Sequence, residues 1–460
     1  MSRGGLMNLS GTRIYVENLG CAKNQVDAEV MLHELSSLGC KTVFEANEAD
    51  IILVNTCGFI ESARKESIDT FFQLRNRYPD KKVVMTGCLS QRYAVDIADD
   101  LQEADGMYGN RDLRQIGAFL EQVIQGSRPV ITPPYPAIDR ENDTRDVLLG
   151  FPGSAYLKIS EGCNHRCRYC AIPLIRGPLR SRPMDAVVQE AKRLIGEGTK
   201  EINLIAQDLA SYGTDWDQKS SRFVELLSNL VAIEGDYYIR MLYIHPDSFP
   251  TELPAFVANN PKIIPYFDIP FQHAAESVLK PMGRTGNYER YLALIDAIRK
   301  ELPDATIRST FMLGFTGDSP QAFYELKQFV KAAELDWVGT FLYSREEGTP
   351  AFDDLKLRQY QAAIRQARKD QKELLEIQES ITKQRLQRFI GRIEPVLIEE
   401  PIDEEDLAIG RIMHQAPEVD GSTVVMGRNL KAGTLVFCAV RAVNGFDLDA
   451  VAKDQGGAAR

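Results

Sequence analysis

The sequence predicts an α/β protein built in three parts: an N-terminal doubly wound α/β domain, a central partial (β/α)6 barrel and a small C-terminal β-barrel. Three observations predict it. Apolar strand-like runs alternate with helix-like runs from residue 13 to about 125, and again from 155 to 343. A segment at 126–153 containing Pro129, Pro133, Pro134, Pro136 and Pro152 interrupts the alternation. From Gly391 onward the pattern changes to short β-rich runs. These shifts draw the boundaries: a first domain at 11–125, a linker at 126–153, a barrel with a terminal long helix at 154–389, and a last domain at 390–455.

A chain of 460 residues forms two to four domains, each able to bury its own core. Its 44% apolar and 26% charged residues are ordinary for a globular protein. No apolar run approaches membrane-spanning length, and the first residues lack the apolar core of a secretory signal. A cytoplasmic location with no membrane partner is therefore expected. Eight cysteines in that compartment point to metal or redox chemistry rather than disulfides. The net charge of −11 argues against a broad nucleic-acid surface, although it leaves room for a local basic patch.

In the first domain, strands are expected at 13–19, 49–56 and 81–86. Helices are expected at 25–38, which reads as amphipathic, and at 61–77, 92–102 and 113–124. The run at 49–56 is continuously apolar, as in a buried parallel strand. Such alternation implies right-handed crossovers. Cys21, Cys57 and Cys88 each follow one of the three strands. Strand C-termini of an open parallel sheet share one edge, where ligands bind. Buried structural cysteines would account for one such placement but not for three. The reading is a metal centre held by Cys21, Cys57 and Cys88. The adjacent Gly20, Gly58 and Gly87 would let the backbone approach a bulky ligand. Cys40 and Cys438 read as structural.

In the central part, strands are expected at 155–159, 201–206, 238–243, 263–269, 306–313 and 337–343, with helices at 184–196, 222–232, 252–258, 288–300 and 321–333. Residues 161–170 leave the end of the first strand and read Glu-Gly-Cys-Asn-His-Arg-Cys-Arg-Tyr-Cys. They place Cys163, Cys167 and Cys170 as C-x3-C-x2-C. Structural zinc wants four ligands, and no fourth cysteine follows nearby. An iron–sulfur cubane held by three thiolates keeps one iron open to a small ligand. Active sites of such barrels lie at the strand C-termini. Gln207, Asp208, His245, Gln272, His273 and Gly314 fall at equivalent ends. A lone histidine there is more often a structural hydrogen bonder than a ligand.

Residues 357–389 lack Pro and Gly and read as one long helix with a solvated charged face. Strands then follow at 394–399, 407–413, 423–426, 434–443 and 447–451, with turns at Asp420-Gly421 and Asn444-Gly445.

With these residues in place, a likeness emerges. The C-x3-C-x2-C loop on the first barrel strand resembles that of the radical S-adenosylmethionine enzymes, whose pattern also has an aromatic, here Tyr169, before the third cysteine. The strand-end cysteines of the first domain resemble those of the methylthiotransferases, which carry a second cubane. The terminal barrel is similar to the TRAM domain, which often binds RNA. Leu-Gly-Cys-Ala-Lys-Asn-Gln-Val-Asp (19–27), Ile-Arg-Gly-Pro-Leu-Arg-Ser-Arg-Pro (175–183) and Asp-Ile-Pro-Phe-Gln-His-Ala (268–274) resemble the ribosomal-protein branch. The transfer-RNA branch usually reads Gln-Met-Asn where this chain has Ala22-Lys23-Asn24. Phe315-Thr316-Gly317-Asp318 replaces the usual Phe-Pro-Gly-Glu, losing a rigid turn residue and shortening a carboxylate.

The resemblance implies two [4Fe-4S] clusters and S-adenosyl-L-methionine as cofactors. It implies a methylthio group added to the β-carbon of one aspartate in small-ribosomal-subunit protein twelve, with an electron donor and a sulfur source as further partners. It implies that Tyr169 flanks the adenine and that Gln207, Asp208 and Arg308 contact the cofactor. The competing readings are a transfer-RNA methylthiotransferase acting on a modified adenosine, and a non-catalytic iron–sulfur scaffold on the ribosome. From residue 390 onward, seven Lys or Arg face twelve Asp or Glu, a net of −5. Glu399, Glu400 and 403–406 nearly form one acidic run. That balance repels RNA phosphates and attracts a basic protein, so the terminal barrel is expected to meet protein rather than RNA.

Overall fold

The computed structural model describes residues 9–135, 145–216, 220–402 and 405–453. Pro136, the charged residues at 139–144, Asp403 and Glu404 of the acidic run, and the last two residues of the 390–455 boundary lie outside the described residues.

The first domain is a parallel sheet of β1 (Arg13–Asn18), β2 (Lys41–Thr42), β3 (Ile51–Thr56), β4 (Lys82–Gly87), β5 (Met107–Tyr108) and β6 (Val130–Ile131). Their order is β2-β1-β3-β4-β5-β6. Register aligns Asn18 with Asn55 and Asn55 with Thr86, so the central strands end together and the residues after them share one edge. The three long strands are those expected. The two-residue strands β2, β5 and β6 are too short for periodicity to reveal. β6 lies in the stretch read as linker and pairs with β5, so that stretch closes the first sheet before it leaves.

The helices are α1 (Ala22–Ser37), α2 (Glu61–Arg77), α3 (Cys88–Ile97) and α4 (Ile116–Ile124). α3 begins four residues before the expected start, because Gly87 at φ +92° turns the chain straight from β4 into the helix. α1 departs from the amphipathic reading: Ala22 through Leu32 are all buried. It is wedged between the first sheet and the first barrel strand, so both of its faces are covered.

The central part contains β7 (Ser154–Lys158), a two-stranded ribbon of β8 (Ser160–Glu161) and β9 (Arg180–Ser181), then β10 (Glu201–Ile205), β11 (Tyr238–Met241), β12 (Ile263–Asp268), β13 (Thr306–Leu313) and β14 (Trp337–Leu342). Six of these form an open parallel sheet in the order β14-β13-β12-β11-β10-β7, the partial barrel that the alternation predicts. Its helices are α5 (Ile172–Ile175), α6 (Met184–Gly196), α7 (Phe223–Val231), α8 (Leu253–Ala258), α9 (Glu276–Leu279), α10 (Tyr288–Glu301) and α11 (Pro320–Ala333). Residues such as Leu204, Ile239, Phe267 and Phe311 pack with Leu227, Ile295 and Phe329 of the helices into one core.

α12 (Leu357–Leu386) is the expected long helix. It does more than connect. Ala367, Leu374, Gln378, Thr382 and Leu386 form a buried face against β13 and β14. Gln378 and Thr382 donate to the carbonyls of Leu335 and Asp336 at 2.7 and 2.8 Å, satisfying backbone acceptors just before β14.

The last domain is a closed barrel of β15 (Ile393–Ile402), β16 (Leu407–Ile412), β17 (Thr423–Met426), β18 (Leu435–Asn444) and β19 (Asp447–Ala452), ordered β15-β16-β17-β19-β18. It is welded to the central sheet. Arg411 reaches Glu201 at 2.7 Å, Tyr266 donates to Asp420 at 2.6 Å, and Thr306 hydrogen-bonds His414 at 2.8 Å. Glu399, read as part of a surface acidic run, is buried against Arg411 at 2.5 Å. Burying one residue of each sign leaves the barrel's net acidity unchanged.

Candidate functional site

The C-x3-C-x2-C loop runs from β8 over the C-terminal ends of the barrel strands. Gly162 takes φ +74°, and a Cβ there would stand 2.0 Å from the Pro178 carbonyl oxygen. Only glycine lets this loop cross the turn before β9. The loop is tied down by backbone: Cys163 donates to Gly177, Arg168 to Met282 and Cys170 to Cys167, at 3.0–3.1 Å. Cys163, Cys167 and Cys170 lie close enough for their charges to act on one another. Burial pushes the thiols of Cys163 and Cys170 up to about 12.

His165 stacks on His245, with centroids 4.0 Å apart and planes within 11°. His245 Nε2 stands 3.9 Å from Cys167 Sγ. Burial, Arg284 and His165 all lower the pKa of His245, so its ring is neutral. Tyr169 is buried, its hydroxyl accepts from Arg284 at 3.2 Å, and its ring meets Phe315 edge-on at 6.0 Å.

The three cysteines of the first domain also converge. Cys57 is acted on by Cys21, and Cys88 by both. Two of the glycines beside them, Gly20 and Gly58, are packed closely against protein atoms. A Cβ on Gly20 would stand 3.1 Å from Cys57 Cβ, and one on Gly58 would stand 2.7 Å from the Cys88 backbone. What these glycines admit is the neighbouring cysteine loop. Asn110 donates to Cys88 Sγ at 3.3 Å, and Arg176 Nη2 lies 3.6 Å from the same sulfur. Burial pushes Cys88 up to about 12, while Arg176 pulls it down.

A buried ion-pair network separates and joins the two sets of cysteines. Asp27 of α1 pairs with Lys158 at 2.6 Å and Arg176 at 2.8 Å, and Glu161 pairs with the same two cations at 2.8 Å. Arg176 also donates to Asn24 at 2.8 Å. Every charge is matched by two of opposite sign, which is how charges survive burial. Above this network Lys23 lies over the ring of Tyr243, 3.2 Å from its centroid, and burial lowers its pKa to about 8. A second buried network runs beneath: Arg145 pairs with Glu190 at 2.5 Å and with Glu29, binding the end of the linker stretch to α1 and α6.

The predicted cofactor contacts divide. Gln207 lies two residues past the end of β10 with its side-chain carbonyl oxygen buried and, among the described residues, without a partner. Arg308 pairs with Asp268 at 3.1 Å and faces Asp420 at 3.6 Å, so its charge is already balanced within the protein. Asp208 is heavily engaged within the protein. Its carboxylate takes five donors: the backbone of Ala210 and His245, the hydroxyls of Ser211 and Ser248, and His165 at 2.7 Å. These donors match the roughly four lone-pair sites of a carboxylate, and through one of them Asp208 orients His165 of the cysteine loop. Of the other strand-end residues, Gln272 carries φ +67° with its carbonyl oxygen unpartnered, and His273 Nε2 is likewise buried and unpartnered. At the altered turn, Asp318 accepts from Gly314 N at 2.8 Å and its own N–H bonds Phe315 O at 3.0 Å. The shorter carboxylate therefore still closes the loop without proline. Cys40 and Cys438 are buried away from both sets, donating weakly to Leu9 and Val436 carbonyls.

Sequence reasoning missed Asp27, Lys158, Glu161, Arg176 and Arg284 as site residues. The available signal was a lysine inside the apolar strand 155–159; the acids of α1 stand among other polar residues and gave none.

Among the described residues, no three His, Cys, Asp or Glu side chains close round a single ion. A cubane asks for a wider donor set, because its thiolates ligate separate irons. The donors fit that demand. Buried thiols this hard to ionise need a metal's charge to become thiolates. Asn110 and Arg176 supply the hydrogen bonds and positive charge that sulfur ligands then require.

Comparison with known proteins gives three family matches. Residues 13–109 match the uncharacterized protein family UPF0004, residues 157–330 the radical SAM superfamily, and residues 390–452 the TRAM domain. The chain is 40% identical to the ribosomal protein uS12 methylthiotransferase RimO of Treponema denticola, over 94% of this chain and 99% of that protein. It is 38% identical to the protein of the same name from Geobacter sulfurreducens, over 96% and 99%. Among solved structures, the radical S-adenosylmethionine methyltransferase TsrM of Kitasatospora setae superposes with a TM-score of 0.54 at 14% identity, over 75% of this chain and 76% of that one. That likeness concerns the fold alone.

Proposed function

The chain belongs to the ribosomal protein uS12 methylthiotransferase family, and on that premise we propose that it adds a methylthio group to the β-carbon of one aspartate of uS12. The observation that carries this reading is the pairing of two cysteine sets, each at the C-terminal edge of its own parallel sheet, on either side of one buried ion-pair network.

Cys163, Cys167 and Cys170 would hold one [4Fe-4S] cluster, and Cys21, Cys57 and Cys88 the other. When bound, the clusters and S-adenosylmethionine supply radical chemistry that can take hydrogen from an unactivated carbon, together with sulfur and a methyl group. The chain's own residues bind and orient. Tyr169 offers a buried ring beside the loop, and Gln207 offers an unpartnered acceptor. Asp208 holds His165, and His165 holds His245, so the loop carrying the three cysteines keeps its shape. Asp27, Lys158, Glu161 and Arg176 hold the two domains in fixed register and exclude water between the cysteine sets. An electron donor and a sulfur source act as partners. A ribosomal substrate puts the work in the cytoplasm. The acidic terminal barrel favours encounter with a basic protein over RNA.

The test is anaerobic reconstitution followed by iron assay, product analysis and mass spectrometry of uS12. About eight irons per chain are expected for two cubanes. Cys163→Ala should abolish 5′-deoxyadenosine formation. Cys21→Ala should spare that cleavage and stop sulfur insertion. Equal loss of cleavage in both variants counts against the division of roles. An unmodified uS12, with a modified adenosine appearing in transfer RNA, replaces the substrate assignment.

A further inference from the structure

Among the described residues, Lys23 is a buried cation that pairs with no carboxylate. It occupies the first turn of α1, two residues after Cys21, and is 8% exposed. Among the described residues it makes no ion pair; its ammonium rests 3.2 Å from the centre of the Tyr243 ring. Two carboxylates act on its charge, Asp268 and Glu161, and both are engaged elsewhere. Asp268 is held by Arg308 at 3.1 Å, and Glu161 by Lys158 and Arg176 at 2.8 Å.

Each local rule opposes a lysine here. A helix N-terminus disfavours a cation, and the first turn of α1 contains no acid to offset it. Burying an ammonium without a carboxylate is unfavourable, and a ring face compensates only in part. The ring that compensates is itself strained, since Tyr243 takes φ +70° directly after β11. The surrounding protein therefore holds Lys23 and Tyr243 together against their own preferences, at the rim where Cys21 acts on both.

We propose that Lys23 is the specificity residue for the substrate side chain: its ammonium leaves the Tyr243 ring to receive the carboxylate of the aspartate whose β-carbon is modified. This rests on the function proposed above. It places a carboxylate one bond from the reacting carbon on the cation two residues from Cys21, so the β-carbon is presented to the auxiliary cysteine set.

The experiment is equilibrium binding of uS12, by fluorescence anisotropy, to the reconstituted full chain. The ligands are native uS12 and uS12 with the target aspartate replaced by asparagine. The wild type should bind the aspartate form about tenfold more tightly, the size of one charge-assisted hydrogen bond. Lys23→Met should bind both forms within about twofold, and Lys23→Arg should keep most of the preference. Lys23→Met that still discriminates overturns the proposal. So does a wild type that binds both forms alike, a result that requires no variant to fold. A wild type that modifies native uS12 but does not discriminate in binding overturns Lys23 alone. A wild type that neither binds nor modifies uS12 overturns the functional reading with it.

Discussion

Glu201→Gln tests how the terminal barrel is fastened to the rest of the protein. Glu201 opens β10 and is buried. One carboxylate oxygen accepts from Arg240 at 2.7 and 2.9 Å; the other accepts from Arg411 at 2.7 Å and Ser154 at 2.9 Å. Burial works to raise its pKa, but Arg411 and Arg240 outweigh burial and hold it well below the usual carboxylate range. Glutamine keeps the shape and removes the charge. Arg411 then still has Glu399 at 2.5 Å, whereas Arg240 is left with the face of Tyr266, 4.7 Å from its centroid. Breaking a buried pair costs about 3–5 kcal/mol. The surviving Glu399 contact puts this case near the lower end, at about 3 kcal/mol. A transition of that size should move down by roughly 6–12 °C at about 2–4 °C per kcal/mol.

The assay is calorimetry on wild type and variant matched for iron content, repeated against pH. A depressed pKa contributes stability that is complete above the unfolded-state value and is lost as pH falls through the folded one. The wild type's advantage should therefore be constant near neutrality and shrink below about pH 4.3. A midpoint shift under about 2 °C refutes the reasoning, being less than about 1 kcal/mol on that scale. An advantage that is undiminished in acid refutes it as well.

Two further variants probe the joints around the site. Arg145→Met leaves Glu29 buried without its cation while Glu190 keeps Arg182 at 2.6 Å, and should lower stability by about 3 kcal/mol in denaturant titrations. Adding Glu29→Gln should then lower it by less than the two single effects summed. Gly58→Ala drives a Cβ to within 2.7 Å of the Cys88 backbone and should displace the auxiliary cysteine loops. Iron content should fall from about eight to about four while 5′-deoxyadenosine formation persists. Retention of all the iron would mean that the loops can separate without losing their geometry.

The legible parts of the fold were those with long local patterns. The runs at 61–77, 184–196 and 306–313 match α2, α6 and β13 residue for residue. The elements that were missed are short, such as β5 and β6, while α1 was expected as a helix but misread as amphipathic because it is covered on both sides. A helix buried all round contains polar residues that its period cannot distinguish from a solvated face. Asp208 shows the same limit within the site. A strand-end carboxylate reads as a ligand contact, and nothing local in the sequence shows that it also takes five donors from Ala210, His245, Ser211, Ser248 and a histidine 43 residues away.

By itself the sequence determined the order and kind of the long elements and where both sets of cysteines stand relative to the strands. Thiols placed immediately after strands are brought to one edge by parallel pairing alone, whatever else the chain does. Only the tertiary structure decided what lies between those edges. Asp27 meets Lys158 across 131 residues and Arg176 across 149, and Lys23 meets a tyrosine more than two hundred residues on. A charged residue carries no mark of whether water or a buried partner will satisfy it, since either lowers its energy. The partner is known only once α1 is seated between the first sheet and the barrel. That seating turned four scattered charges into a wall between the two sets of cysteines and left Lys23, among the described residues, as a cation paired with no carboxylate.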